Sequence, residues 1–241
     1  MNSQLFPFSE EISIKDNLKV HYQLILDLLG PQLTPERNKR ILEVIQHRTF
    51  NVAVVCESIY DRGNISAAMR SAEAFGFAPF HVIETASKFK NANRVTRGSE
   101  KWLEIKKWKT TKECVSHLKS QGRKLIVTSL DANISIDEID FSQSCAVVLG
   151  NEKEGVSEEM LAAADYRIKI PMYGFVQSFN ISVAAALCLY HISQKRKQLN
   201  ISSELNQTQE KILQALYTLR TLDSAEEQLE EFFRRNPNTL A

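Results

Sequence analysis

The sequence lacks the features that mark membrane and secreted proteins. Its longest wholly apolar run, Val183–Tyr190, is far shorter than the ~18 residues that a membrane-spanning helix requires. The first fifteen residues contain no basic stretch followed by an apolar one, so we expect no secretory signal. The formal net charge is +1, so the total charge predicts no polyanionic partner. These absences favour a soluble, cytoplasmic protein.

Metal-binding spacing is missing as well. The four cysteines never form a CxxC pair, and the five histidines never follow an HxxxH spacing. We therefore predict no metal and no dithiol redox site. Scattered cysteines in apolar surroundings behave as small hydrophobic residues, and they suit a reducing compartment such as the cytoplasm.

The common nucleotide-phosphate motifs are incomplete. Gly150 and Gly155 have the GxxxxG spacing of a P-loop, but Val156 and Ser157 stand where Lys and Ser or Thr are needed. The acidic residues between the two glycines would repel phosphates, and no GxGxxG occurs anywhere. The loop therefore suits a cationic ligand better than an anionic one, and we exclude a nucleoside triphosphatase.

Strand and helix patterns alternate over the middle of the chain. Apolar runs predict strands at 51–59, 80–84, 124–130, 145–150 and 166–172, and amphipathic patterns predict helices at 65–77, 112–122 and 157–165. The strands are continuously apolar, as expected for a sheet covered by helices on both faces. We predict an α/β fold with a mostly parallel sheet.

Helical segments flank this region on both sides. Apolar spacing predicts a helix over 16–29, and Thr34 followed by Pro35 predicts the start of a second one. Two further amphipathic helices follow residue 200. We therefore divide the chain into an N-terminal helical extension (1–49), a central domain (50–200) and a C-terminal helical extension (201–241).

Positive charge is concentrated between residues 88 and 112. Nine Lys or Arg face two Glu in this segment, which leaves a local charge of +7, and Trp102 and Trp108 are embedded in it. Cations interleaved with aromatic rings suit a nucleic-acid backbone whose bases stack on the rings. We interpret the segment as a face for RNA or DNA, with an ordinary solvated surface as the alternative. With two smaller basic groups, the candidate contacts are Arg37, Lys39, Arg40, Lys90, Arg94, Arg97, Lys101 and Arg196.

Polar residues also gather at the ends of predicted strands. Asn64 is either the N-cap of the helix that follows or part of a reaction site, and Arg70 lies among small residues, either in a salt bridge or open to a ligand. Further along, Gln177, Ser178 and Asn180 precede an apolar run that predicts a buried helix. Polar groups at a buried helix start need partners, which are either backbone groups or a bound small molecule.

Three segments together resemble the motifs of a known family. They are "NISAAMRSAEAFG" (64–76), "VVLGNEKEGVSEE" (147–159) and "IKIPMYGFVQSFNISVAAAL" (168–187). In this order they are similar to the three motifs of the SPOUT superfamily of RNA methyltransferases, in particular the TrmH (SpoU) family of tRNA guanosine 2′-O-methyltransferases. "GSEKW" (98–102) also resembles a segment of the tRNA enzymes. The resemblance covers roughly residues 50–200.

The resemblance implies a C-terminal trefoil knot, which is a rare exception to the rule against threaded chains. It implies S-adenosylmethionine as cofactor and a homodimer with the catalytic pocket near the two-fold interface. By the same resemblance, the cofactor is held at Thr128, Gly150, Ile170 and Phe179. The reaction site is then formed by Asn64, Arg70, Glu152, Ser178 and Asn180.

The expected reaction is methyl transfer to a ribose 2′-hydroxyl of tRNA, on a guanosine in the D-loop. The alternatives are the same chemistry on ribosomal RNA and a non-catalytic RNA-binding protein of the same fold. An arginine side chain is ordinarily a protonated hydrogen-bond donor and not a proton acceptor. Arg70 therefore acts either through transient deprotonation or by clamping a phosphate that polarises the hydroxyl. Gly63 departs from a His often found before the motif Asn.

Overall fold

A computed structural model describes residues 5–14, 18–84, 98–201 and 204–237. In chain order the strands and helices are β1 (Glu11–Ser13), β2 (Lys19–His21), α1 (Tyr22–Leu29), α2 (Pro35–Ile45), β3 (Val52–Glu57), α3 (Arg62–Ala74), β4 (Pro79–Ile83), β5 (Glu104–Trp108), α4 (Thr111–Ser120), β6 (Lys124–Thr128), β7 (Ile134–Ser135), β8 (Cys145–Leu149), α5 (Glu158–Ala163), β9 (Tyr166–Lys169), α6 (Ile181–Gln198), α7 (Gln207–Thr221) and α8 (Ala225–Arg235).

The chain divides into two compact units. One is the central unit, Thr49–Ser202, and the other combines Met1–Arg48 with Ser203–Ala241. In this terminal unit α1 and α2 pack on α7. The buried Arg48 donates through Nε to the Tyr217 hydroxyl at 2.9 Å, which joins two segments that are far apart in the sequence. The N- and C-terminal extensions therefore fold together.

The start of the terminal unit differs from the sequence pattern. The helix predicted from residue 16 begins only at Tyr22, because residues 19–21 pair with β1 in an antiparallel ladder. The second helix begins where it was expected, since Thr34 Oγ1 accepts a hydrogen bond from the Arg37 backbone N–H and Pro35 takes the first helical position.

The central unit is built on one seven-stranded sheet with the order β5-β4-β3-β8-β6-β9-β7. Every neighbouring pair is parallel. Helices α3 and α6 cover one face, and α4 and α5 cover the other. Alternate residues of β3 enter the two cores, so that the whole strand is buried. The predicted α/β fold with a parallel sheet between two helical layers is confirmed, and the parallel pairing sets all carboxyl ends of the strands at one edge.

Strand β5 is absent from the sequence prediction. It lies at the edge of the sheet beside β4, inside the basic segment 88–112 that we interpreted as a face for RNA or DNA. Its two exposed lysines, Lys106 and Lys107, explain why this strand lacks the continuous apolar run of the predicted strands. Charged side chains on an edge strand also prevent pairing with another sheet.

Two further expectations about helices are wrong. Asn64 is not an N-cap, because α3 already begins at Arg62 and the Asp61 carboxylate accepts from the Gly63 backbone N–H at 2.7 Å. The apolar run on α6 is not buried all round, since Val183, Leu187 and Tyr190 are 45%, 40% and 54% exposed. These three residues recur at a helical spacing, so they form one exposed apolar row. Within the described part of the chain, no helix is long and apolar enough to span a membrane.

Candidate active site

A cavity of about 980 Å³ lies where β6, β8 and β9 end. Its volume falls in the range of ~300–1,000 Å³ that is typical of small-molecule sites. Apolar side chains of Leu130, Ile170 and Phe179 contribute to its walls, and the loop that follows β8 contributes polar groups. The carboxyl edge of a parallel sheet is the usual place for such a site.

All four residues predicted to hold a cofactor line this cavity. Thr128 ends β6, Gly150 follows β8, Ile170 follows β9, and Phe179 stands just before α6. Thr128 Oγ1 donates to the carbonyl of Val148 at 3.0 Å, which ties the ends of two neighbouring strands together. Three separated stretches of sequence therefore meet at one cavity.

A chain of hydrogen bonds joins three of the predicted reaction-site residues. Asn180 Nδ2 donates to Asn64 Oδ1 at 3.3 Å, and Asn64 Nδ2 donates to Glu152 Oε1 at 2.7 Å. Because the Asn64 amide accepts at one end and donates at the other, its orientation is fixed. Glu152 and Asn180 also line the cavity, together with Ser178. Four of the five predicted residues are thus brought together.

Asn180 has a second contact that explains the polar start of α6. Its Oδ1 accepts from the backbone N–H of Ser182 at 2.9 Å and from the Ser182 hydroxyl at 2.5 Å. One oxygen therefore caps the helix while the amide nitrogen reaches Asn64. The backbone partner expected for this polar segment is therefore found for Asn180.

The loop after β8 is a compact turn organised by Asn151, a residue that the sequence analysis did not single out. Asn151 and Gly155 exchange two backbone hydrogen bonds, and Asn151 Oδ1 accepts from the backbone N–H groups of Lys153 and Glu154. The sequence signal was present, since Asn side chains commonly bond to the backbone two residues later in turns. Gly150 is packed so closely that a Cβ there would lie 2.4 Å from the Gly155 carbonyl carbon.

The electrostatics of the loop follow from Glu152. The Cys56 thiol stays protonated, because burial and the negative charge of Glu152 both raise its pKa. A thiolate nucleophile is therefore excluded at this position. No group of three or more His, Cys, Asp or Glu that could hold a metal occurs among the described residues.

Arg70 lies apart from the other predicted reaction-site residues. It is exposed on α3, about 9 Å further along the helix axis than Asn64 and roughly 120° around it. It does not line the cavity, and it makes no hydrogen bond or ion pair with any residue that the structure describes. Arg70 therefore does not form the salt bridge considered for it with any described residue, and its guanidinium remains open to another molecule.

The predicted RNA contacts have different surroundings. On α2, Lys39 is exposed, Arg37 bonds Thr221 at 3.4 Å, and Arg40 pairs with Glu43 at 3.3 Å. Lys101 is exposed in the central unit, whereas Lys90, Arg94 and Arg97 lie outside the described residues.

Arg196 is wrongly assigned to RNA. It is only 4% exposed, and its Nη1 donates to the Phe141 carbonyl at 3.0 Å. The sequence does not distinguish Arg196 from its basic neighbours on α6. The helical turn directs Arg196 inward, while Lys197 remains exposed.

Trp108 is not free to stack on bases. Its Nε1 donates to His81 Nδ1 at 3.0 Å, and Lys106 Nζ lies 4.7 Å from the centre of the ring system. Burial, together with the charge of Arg123, lowers the pKa of His81 to about 3, so the imidazole is neutral and can accept this bond. The Trp108 ring is therefore part of the protein's own packing.

The cavity and its hydrogen-bonded motifs can be compared with known proteins. Residues 51–190 match the sequence model of the SpoU rRNA Methylase family. The chain belongs to this family. As a SpoU methylase it is a methyltransferase, which confirms the family resemblance found in the sequence.

Individual SpoU relatives agree with this assignment. The tRNA (guanosine(18)-2′-O)-methyltransferase of Borreliella burgdorferi is 36% identical over 80% of this chain and 88% of its own length. The crystal structure of the A. aeolicus TrmH/SpoU tRNA modifying enzyme has a TM-score of 0.70 at 30% identity, covering 77% of this chain and 95% of that one. The AdoMet-bound rRNA methyltransferase from Sinorhizobium meliloti has a TM-score of 0.57 at 25% identity, covering 66% and 60%.

Replacing Gly150 by Ala tests the packing of the loop. The added Cβ would meet backbone atoms at 2.4 Å, so the loop of this SpoU methylase must shift. We expect Gly150→Ala to lower the free energy of unfolding by about 2–4 kcal/mol, measured by chemical denaturation.

Gly174→Ala is the matched control, because a Cβ at Gly174 meets no atom within 4 Å. It should change the free energy of unfolding by less than about 1 kcal/mol. Equal stability of the two variants would show that the loop is not closely packed.

Proposed function

We propose that this chain methylates the ribose 2′-hydroxyl of a guanosine in tRNA, at position 18 of the D-loop, with S-adenosylmethionine as methyl donor. The observation that carries the proposal is the hydrogen-bonded chain from Asn180 through Asn64 to Glu152, which joins the three sequence motifs beside a small-molecule cavity. The name of the B. burgdorferi relative supports the choice of nucleotide.

The chemistry of the cavity fits S-adenosylmethionine. Leu130, Ile170 and Phe179 offer apolar surface to a planar base, and the Glu152 carboxylate favours a ligand with positive charge. When bound, the cofactor supplies a methyl group activated by a positively charged sulfur. Thr128 and Gly150, with Ile170 and Phe179, are the residues that would hold it.

Positioning is the role that we assign to the hydrogen-bonded residues. Asn64 cannot rotate without breaking a bond to Asn180 or to Glu152, so the three motifs keep a fixed relation. Ser178 lies in the same cavity wall. Small errors in alignment cost large factors in rate, so a rigid arrangement of two amides and a carboxylate is useful for methyl transfer.

Arg70 is the residue that we assign to the substrate hydroxyl. A protonated 2′-hydroxyl is a poor nucleophile, so a group must take or share its proton. The exposed guanidinium can do so after transient deprotonation, or it can clamp a phosphate that polarises the hydroxyl. Both routes need a guanidinium without a protein partner, in agreement with its surroundings.

Nucleoside analysis tests the substrate. The protein is incubated with methyl-labelled S-adenosylmethionine and either tRNA or ribosomal RNA, and the digested nucleosides are analysed by mass spectrometry. We expect labelled 2′-O-methylguanosine from tRNA. Asn64→Ala breaks the hydrogen-bonded chain and should lower the rate about 100-fold.

Other outcomes would assign another function. Label in ribosomal RNA alone would make this protein a ribosomal RNA methyltransferase. If calorimetry detects no binding of S-adenosylmethionine while RNA still binds, the protein is a non-catalytic RNA-binding member of the family.

Single-turnover kinetics test Arg70. Arg70→Ala should lower the methylation rate at least about 100-fold, because the hydroxyl loses the group that activates it. The Kd for tRNA separates the two routes, since loss of a phosphate clamp weakens tRNA binding and loss of a base does not. If Arg70→Ala or Arg70→Lys keeps nearly the full rate, Arg70 has no catalytic role.

We propose that residues 50–200 form the catalytic domain and that the N-terminal extension (1–49), which folds together with the C-terminal extension (201–241), assists RNA binding. Arg37, Lys39 and Arg40 are exposed cations on α2, which supports a contact with the phosphate backbone. Lys101 is a further exposed contact in the central domain. We also assign Lys90, Arg94 and Arg97 to this role on sequence grounds.

The trefoil knot and the cytoplasmic location are further parts of the proposal. In the order β3-β8-β6-β9, strand β8 lies between β3 and β6, which precede it in the chain, and β9 lies on the other side of β6. This order is compatible with a knotted C-terminal part. A tRNA substrate and four buried, unpaired cysteines both suit the reducing cytoplasm.

The functional protein is, we propose, a homodimer formed through the apolar row of α6. Val183, Leu187 and Tyr190 are exposed apolar residues on one side of the helix, and contiguous patches of this kind usually mark an interface. The row begins three residues after Asn180. The proposed interface therefore starts beside the cavity, as the family resemblance implies.

Replacing Leu187 by Glu tests the dimer. We expect analytical ultracentrifugation to find twice the 27.4 kDa chain mass for the unmodified protein and the single-chain mass for Leu187→Glu, because the interface cannot bury a lone carboxylate. Gln198→Glu, at the exposed end of the same helix, is the control and should remain dimeric. A monomeric unmodified protein would contradict the proposal.

A further inference from the structure

The carboxyl end of β3 contains a buried carboxylate that the reaction scheme does not use. Glu57 is only 1% exposed. Its Oε2 accepts from the Ser157 backbone N–H at 2.9 Å, and its Oε1 accepts from the Ser157 hydroxyl at 2.7 Å and from the Thr111 hydroxyl at 2.5 Å. One carboxylate thus joins the starts of α4 and α5 to β3.

These bonds explain why a charge is tolerated in the interior. Hydrogen bonds to a carboxylate are stronger than those between neutral groups, and Glu57 accepts three of them. Ser157 is the N-cap of α5, so the carboxylate also lies at the positive end of that helix. Removing the carboxylate would leave the part-buried Ser157 N–H and hydroxyl and the buried Thr111 hydroxyl without their acceptor, which is costly.

Ser157 is the far end of the loop that lines the cavity. Gly150, Asn151, Glu152, Lys153 and Gly155 line the cavity, whereas Glu57 does not. The near end of the loop is also held by β3, because Asn151 Nδ2 donates to the Ser58 carbonyl at 2.7 Å. The two residues that follow one another at the end of β3 therefore fix both ends of the loop.

The backbone of Ser58 supports this interpretation. Its φ angle is +52°, in the left-handed region that residues other than glycine rarely adopt. Unusual backbone conformations persist where the surrounding structure imposes them, and they cluster near functional sites. Here the conformation accompanies two hydrogen bonds of Ser58, from its N–H to the Ile83 carbonyl and from Asn151 to its own carbonyl.

We infer that Glu57 is a positioning residue for the cofactor, acting through Ser157 to keep the 150–157 loop in its binding conformation. The inference rests on the proposed use of S-adenosylmethionine at this cavity. Glu57 contacts neither cofactor nor RNA. Its loss should therefore act on cofactor affinity and loop mobility, in addition to any effect on stability.

Two substitutions at position 57 separate geometry from charge. Glu57→Ala removes all three acceptor contacts, and we expect the Kd for S-adenosylmethionine, measured by isothermal titration calorimetry, to rise about tenfold. In Glu57→Gln, the amide oxygen can still accept a hydrogen bond from the Ser157 N–H. The amide NH2 group then faces the Ser157 and Thr111 hydroxyls, which can accept hydrogen bonds from it instead of donating them. The Kd of Glu57→Gln should stay within about threefold of the unmodified protein.

A second readout needs no cofactor. Hydrogen–deuterium exchange of the apo protein should be faster for the Ser157 amide and its neighbours in Glu57→Ala than in Glu57→Gln, because only the Ala variant lacks the acceptor. All measurements are made at a temperature where circular dichroism finds every variant folded. A general loss of stability would raise exchange across the sheet, whereas a positioning role raises it in the loop.

The two partners of Glu57 offer matched controls. Ser157→Ala removes the hydroxyl contact on the loop side and should weaken cofactor binding in the same direction as Glu57→Ala. Thr111→Val removes the contact with α4, has nearly the same size, and should leave the Kd within about twofold. If Thr111→Val weakens binding as much as Ser157→Ala, Glu57 stabilises the fold as a whole and does not act through the loop.

The failure of this inference differs from the failure of the proposed function. If the unmodified protein does not bind S-adenosylmethionine, the proposed function is wrong and the inference falls with it. If the unmodified protein binds and Glu57→Ala binds equally well, the proposed function stands and Glu57 has no positioning role.

Discussion

Parallel pairing of β3 with β8 is the constraint on which the site depends. Both strands end at the same edge of the sheet, with Cys56 opposite Leu149. The chain after β3 leads into α3 and Asn64, while the chain after β8 leads into the loop with Glu152. The bond between Asn64 and Glu152 spans 88 positions in the sequence, and this strand register makes it possible. An antiparallel pair would send the two connections to opposite edges.

Several strands of the central unit could be predicted because β3, β4 and β8 are buried on both faces. In β3, Val52 and Val54 enter one core while Ala53 and Val55 enter the other, so the strand reads as one apolar run. Strand β5 lacks this signal, because an edge strand carries exposed lysines and resembles a loop. The order of the strands could not be predicted either, since register depends on contacts between segments that are distant in the sequence.

Some residues of the site could be predicted from the sequence and others could not, for reasons that differ between residues. The cavity-lining residues came from the family resemblance, since spacing alone predicts only a turn at Gly150 and an acidic loop. Arg196 was misassigned because charge in a sequence does not tell which side of a helix it faces, and burial reverses its role. Glu57 gave no signal at all, because one acid at the end of an apolar run becomes informative only when its partners, Thr111 and Ser157, are known.

The hydrogen-bond partner of Glu152 determines whether the negative charge of this carboxylate is neutralised. Its described hydrogen bond is with the neutral amide of Asn64, and no ion pair with Glu152 is found in the described part of the chain. A Lys or Arg in place of Asn64 would orient the carboxylate equally well but would cancel its charge. A neutral partner leaves the negative charge available to a cationic ligand in the cavity. Arg70, exposed on the same helix as Asn64, forms no hydrogen bond or ion pair with any described residue. Helix α3 thus gives the acid a neutral amide partner and leaves its own guanidinium unpaired among the described residues.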